Sequence, residues 1–128
     1  MKILLDTCTF IWIVEGSAQL SPVAIKLFQN PEHDVFLSSI SVWEILVKHR
    51  LGKLNLSLEP EEYITDGRRK HRIVSLPLHE GHTFHLARLP DHHRDPFDRM
   101  LICQAIEAGL VILTPDANIK SYPVNVKW

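Results

Sequence analysis

The sequence is poor in cysteine and glycine, has no long hydrophobic run and carries no excess of either charge. The 128 residues include only 2 cysteines and 5 glycines. Cys8 and Cys103 are far apart, with no CxxC spacing. A disulfide framework and a cysteine-rich zinc site are therefore excluded, and two buried thiols in a reducing compartment are expected. The apolar stretch at residues 3–5 ends at Asp6, and that at residues 10–14 ends at Glu15. Both fall well short of a secretory apolar region or the ~20 residues that cross a bilayer. A cytoplasmic, soluble protein without membrane contact is expected. The 14 basic and 15 acidic side chains give a net charge of −1. This rules out a uniformly basic nucleic-acid coat but leaves room for a local basic patch. With no repeat, no Gly/Ser linker and 45% hydrophobic residues, the chain is a single domain over residues 1–128. Its length lets it bury about two-thirds of its unfolded surface.

What is present is an alternation of short apolar runs and helical patterns. Ile3-Leu4-Leu5, Val35-Phe36-Leu37, Ile73 to Leu76 and Leu110 to Leu113 read as strands buried on both faces, with Val124 to Val126 as a fifth. Helices are expected through Phe10 to Val14, from a Ser21 cap with Pro22 at the first position, and from Ser41 to near Gly52. Residues 59–72 look helical but interrupted by Gly67, and residues 79–88 form another candidate helix. Asp95-Pro96-Phe97-Asp98 opens the best-defined helix, closed by Gly109. The pattern predicts an α/β fold: a three-layer sandwich with a central, mostly parallel sheet of four to five short strands flanked by helices. In such sheets, functional groups gather beyond the carboxyl ends of the strands.

An acid stands at each of those places. Asp6 follows the first strand, Glu44 lies just after the second, Asp116 follows the fourth, and Asp98 opens the helix that leads into it. Each has a plain structural reading. Ser41-x-x-Glu44 matches a capping box, Asp95-x-x-Asp98 is a looser version, and Asp116 follows Thr114-Pro115 as a turn former. Asp6 is a poor cap unless a helix begins at once. Four acids at equivalent topological positions favour the joint reading. Carboxylates that close raise each other's pKa unless a cation neutralises them, and an all-oxygen set suits Mg²⁺ or Mn²⁺.

On these residues the chain resembles PIN-domain ribonucleases, specifically the VapC-like toxins of bacterial toxin–antitoxin pairs. The stretches that carry the resemblance are LLDT (4–7), SVWEI (41–45), LGKL (51–54), LPDHHRDPFDRMLICQA (89–105), LTPD (113–116) and SYPVNVKW (121–128). It runs from end to end and implies a PIN-like fold and a magnesium-dependent endoribonuclease that cuts structured RNA, tRNA or rRNA. Carried over residue by residue, the catalytic and metal-holding acids are Asp6, Glu44, Asp98 and Asp116, with Thr114 a polar neighbour and Asp95 a less secure one. Cys8 stands where the family often has histidine, and Cys103 where alanine is usual; neither change removes a carboxylate. The resemblance also implies a cognate antitoxin and a homodimer.

The expected reaction is in-line attack on the phosphodiester by water that the ion activates, leaving a 5′-phosphate and a 3′-hydroxyl. Two other readings compete. His92-His93 suggests metal-free cleavage by histidine acid–base chemistry, although adjacent residues seldom converge and residues 91–94 read as an exposed loop. A non-catalytic phospho-accepting receiver-like domain needs paired acids after the first strand and a lysine after the last, and here Asp6 stands alone. For substrate phosphates the candidate cations are Lys48, Arg50, Lys53, the run at residues 68–72, Arg94 and above all Arg99, each with a solvated-surface or salt-bridge alternative. Trp43 beside Glu44 reads as core packing that positions the acid. Trp12 reads either as core or as part of a groove for an antitoxin's amphipathic segment.

Overall fold

Three consecutive aliphatic side chains, Ile3, Leu4 and Leu5, are all fully buried. Side chains of a strand alternate between faces, so this strand must be covered above and below, and the two hydrophobic clusters show how. Ile3 and Leu5 join Phe10, Ile13, Ala24, Ile45, Tyr63 and Ile64 on one side of the sheet. Leu4 joins Leu101, Ile102, Ala105, Ile112 and Ile119 on the other. The computed structural model describes residues 1–128 and has the expected three layers.

The five strands are β1 (Lys2–Leu5), β2 (Asp34–Ser38), β3 (Ile73–Leu76), β4 (Val111–Leu113) and β5 (Val126–Lys127). Their order is β3-β2-β1-β4-β5, and every pairing is parallel. The helices are α1 (Thr7–Glu15), α2 (Pro22–Gln29), α3 (Ser39–Arg50), α4 (Pro60–His71), α5 (Glu80–Phe84), α6 (Pro96–Ala108) and α7 (Ala117–Lys120). The chain builds outward from β1 through β2 to β3, then crosses back to lay β4 on the free side of β1. The order therefore reverses beside β1. Ligands of open α/β sheets sit beyond the carboxyl ends of the strands at such a reversal, and here Asp6 ends β1 and Asp116 follows β4.

Several local expectations are corrected. Helix α3 starts at Ser39, not Ser41: Ser38 is the cap and accepts from the Ile40 amide at 3.0 Å. Ser41 is buried with its hydroxyl unpartnered, so the capping-box reading of Ser41 and Glu44 does not hold. Helix α4 runs through Gly67 without a break. A Cβ there would lie 2.7 Å from Val14 Cγ2 and 3.1 Å from Phe10 Cζ, so this glycine marks close helix packing, not an interruption. The candidate helix at 79–88 divides into α5 and a 3₁₀ turn over His85–Arg88. Strand β4 begins at Val111 and β5 covers only Val126–Lys127. No helix is long and apolar enough to cross a membrane.

Candidate active site

Asp6 takes the cap position because α1 begins on the next residue. Its Oδ1 accepts from the Thr9 amide at 2.8 Å, so the reservation about its capping is resolved by a helix that starts at once. Only one oxygen is used that way. The other, Oδ2, accepts from Thr114 Oγ1 at 2.5 Å. The same hydroxyl accepts from the Asp116 amide at 3.1 Å, so one threonine fixes the turn after β4 against the end of β1. Asp116 in turn caps α7, accepting from the Asn118 amide at 2.8 Å.

Glu44 sits in the second turn of α3 and is buried although charged. Thr7, next to Asp6, donates to its Oε1 at 2.6 Å. Its Oε2 is ion-paired with Lys48 one turn along. Burial alone would lower the Lys48 pKa, but the bond to Glu44 and its charge outweigh this and raise it. Asp6 and Glu44 are thus linked through adjacent residues, and Asp116 joins them through Thr114.

Asp98 completes the set from α6. Asp95 is the cap there, accepting from the Phe97 and Asp98 amides at 2.9 and 3.0 Å, which leaves the Asp98 carboxylate free of capping. It receives only His93 Nε2, at 3.3 Å. Burial first, then the charge of Asp95, then Glu44 and Asp116, push its pKa up to about 6 against the partial relief from His93. Burial and the charge of Asp116 also raise Asp6, opposed by the bonds from Thr114 and Thr9. The four acids therefore share one electrostatic neighbourhood beyond the carboxyl ends of β1 and β4.

The donor set consists of carboxylate oxygens, the ligands that hard divalent ions prefer. As folded, the set is held by hydroxyls, amides and Lys48, and no three His, Cys, Asp or Glu side chains are gathered closely enough to hold an ion. The donors fit such an ion in chemistry, and each Glu44 oxygen keeps a lone pair beyond its contact with Thr7 or Lys48. Cys8, expected to be buried, is exposed beside these acids. Burial of the thiol's surroundings, then Asp6 and Glu44, push its pKa up to about 11, so it stays a thiol at neutral pH.

The remaining residues are distributed unevenly. The Arg99 guanidinium turns away from the acids, donating to Pro90 O, His93 O and the Tyr122 hydroxyl and pairing with Asp91 at 3.0 Å. It fastens the 90–94 loop, which carries Arg94. His93 sits within that loop with its Nδ1 at 2.8 Å from the Tyr122 hydroxyl. Sequence reasoning gave no role to Tyr122, or to Thr7 although it adjoins Asp6, because no spacing ties Tyr122 to His93 or Thr7 to Glu44. Trp43, expected in the core, is 56% exposed and lies edge-on to Phe97 at 5.1 Å. Trp12 is half-buried, 5.8 Å from Trp128 and packed against the core.

The PIN domain family model matches residues 3–125. No curated protein matches the sequence significantly. Solved structures do match over nearly the whole chain. VapBC2 from Rickettsia felis, bound to a DNA fragment from its promoter, has a TM-score of 0.77 at 14% identity, covering 100% of this chain and 99% of that one. DNA-bound VapBC from Salmonella typhimurium has a TM-score of 0.69 at 19% identity, covering 99% and 97%. VapBC-5 from Mycobacterium tuberculosis, a member of the VapBC family of toxin–antitoxin systems, has a TM-score of 0.60 at 16% identity, covering 98% and 95%. These likenesses show the same fold over the whole chain, and the family match over residues 3–125 shows that the chain belongs to the PIN domain family.

Proposed function

We propose that the chain is a Mg²⁺-dependent endoribonuclease and the toxin of a toxin–antitoxin pair in the cytoplasm, cutting structured RNA such as tRNA or rRNA. The observation that carries this reading is the Asp98 carboxyl, lifted to about 6 by burial and by Asp95, Glu44 and Asp116. Folding has brought these like charges together at a cost in stability that a bound divalent cation would offset.

On this reading Asp6, Glu44, Asp98 and Asp116 hold the ion, which when bound polarises water and the phosphodiester oxygen. Thr114 and Thr7 orient the Asp6 and Glu44 carboxylates. Lys48 neutralises Glu44 and would stand beside a substrate phosphate held at these acids. Arg94 is a second phosphate cation, and Arg99 serves the substrate by fixing the loop that presents it. Mn²⁺ satisfies the same oxygen chemistry. An antitoxin partner is supported by the toxin–antitoxin relatives of the same fold. A homodimer is supported by the exposed apolar face that Trp43 and Leu46 form on α3.

Purified protein and its Asp98→Asn variant, incubated with a tRNA pool in Mg²⁺ and in excess EDTA, test the reading. Cleavage by the wild type in Mg²⁺ alone is expected, with a loss of at least a hundredfold in the variant. Cutting that persists in EDTA overturns it in favour of histidine chemistry.

A further inference from the structure

The molecule's large cleft, about 610 Å³, lies away from the acids. It opens at the amino ends of β2 and β3, between the last turns of α2 and α4. Strand β2 separates the two places: Asp34 borders the cleft, and Ser38 caps the helix that carries Glu44. Four residue steps of strand place them at least about 13 Å apart. The volume falls in the range of small-ligand sites.

The walls combine three kinds of chemistry. Phe28 and His71 provide flat rings that meet edge to face, centroids 6.3 Å apart and planes at 75°, so that a base can stack on the face of one and abut the edge of the other. Burial first, then the neighbouring Lys70, lower the His71 pKa, so at neutral pH it offers a ring face and not a charge. Asn30 offers a side-chain amide, whose oxygen is used by the Glu32 amide at 2.9 Å and whose nitrogen stays free. Lys70 and Arg72 bring two cations against one acid, Asp34. Lys70 reaches Asp66 at 3.1 Å, while Arg72 makes no ion pair. Cations that end a helix complement its dipole, and that accounts for the charge run at residues 68–72. It does not account for a ring-lined cavity beside the run.

Rings for stacking, an amide for a base edge and cations for phosphates are how unpaired nucleotides are held. We propose that this cleft is a second RNA-binding site, seating one nucleotide unit of the substrate with its base against Phe28 and His71 and its phosphates on Lys70 and Arg72. The proposal rests on the reading of the chain as an RNA-cutting enzyme. The cleft then contributes affinity and selects RNAs that extend from the acids around to this edge. RNAs too short to span that distance lose the contact.

The test is RNA binding measured in EDTA, where no cutting occurs, with a labelled tRNA pool as probe. The variant is Lys70→Gln with Arg72→Gly. Arg72 has a φ of +54°, a left-handed conformation that glycine adopts freely, so this change removes the guanidinium without straining the turn. Lys120→Gln with Lys127→Gln removes the same charge elsewhere. The cleft variant is expected to bind at least tenfold more weakly, with the slope of log affinity against log salt reduced by about 1.4, at about 0.7 per phosphate contact. The control is expected to change affinity less than threefold. Equal losses in the two variants overturn the proposal. So does binding of free 5′-adenosine monophosphate in the cleft with RNA affinity unchanged, which makes it a free-nucleotide site. RNA bound through the cleft by a protein that cuts nothing in Mg²⁺ rejects the nuclease reading and leaves this one standing.

Discussion

At the scale of single residues, Asp98 has the clearest thermodynamic signature. Its pKa rises from an ordinary 3.8 to about 6 in the folded chain. Between about pH 4 and 6 the folded protein therefore holds a proton that the unfolded chain has released, and stability falls as pH rises through that window. Above pH 6 the charged carboxylate costs up to about 3 kcal/mol. Asp98→Asn removes that cost without losing a cap, because Asp95 is the capping residue, and the amide oxygen still accepts from His93. In EDTA at pH 7.5 the variant is expected to melt about 4–10 °C above the wild type, with the difference vanishing near pH 4. Thermal melts across that range check it; a variant less stable at pH 7.5 shows that the carboxylate is not a destabilising charge. On the proposed function the same substitution is expected both to impair cutting and to stabilise the fold, the pattern of an active site assembled at a cost in stability.

At the scale of elements, Gly67 shows how packing overrides propensity. In an open helix face, Gly→Ala gains about 0.8–1.0 kcal/mol. In α4 the new methyl would meet Val14 Cγ2 at 2.7 Å. Val14 is β-branched and rotamer-locked on α1, and Phe10 behind it is fully buried. Room for the methyl requires Val14 or the helix backbone to shift, so Gly67→Ala is expected to destabilise by about 1–3 kcal/mol. Urea denaturation measures this; a gain in stability would show that α1 and α4 are free to part. The glycine was visible in the sequence and its reason was not, because a 2.7 Å approach is a property of two helices. The acids are the opposite case. Asp6 follows a strand and Asp98 and Asp116 stand where helices open, so chain order with the rule about strand ends points to these three, while Glu44 lies in the second turn of its helix. The roles of Thr7 and Tyr122 were not legible because their bonds to Glu44 and His93 cross 37 and 29 residues. Arg99 looked like a phosphate ligand because it adjoins Asp98, yet neighbours on a helix point about 100° apart. Its guanidinium falls on the loop instead.

At the scale of the whole molecule, the unresolved requirement is a cover for α3. Ser39, Trp43, Leu46 and Arg50 recur at helical spacing, and all are exposed. Trp43 and Leu46 remain 56% and 44% accessible, and Phe97 extends the apolar surface from α6 by its edge contact with Trp43. An exposed indole beside a second exposed apolar side chain on one helix face marks a candidate interface, since tryptophan dominates binding energy where it is buried between chains. If two copies meet through this face, Trp43 is the side chain whose loss separates them, while a single chain scarcely needs it. Trp43→Glu is therefore expected to leave the melting temperature of the isolated fold within about 2 °C, because exposed substitutions change stability by only about 0.5 kcal/mol. It is expected to weaken dimerisation by about thirtyfold or more, the equivalent of a 2 kcal/mol hot spot. Sedimentation velocity over a concentration series decides the matter. A wild type that stays monomeric at every concentration, or a Trp43→Glu variant that dimerises as well as the wild type, removes α3 from the interface and requires another cover for its apolar face.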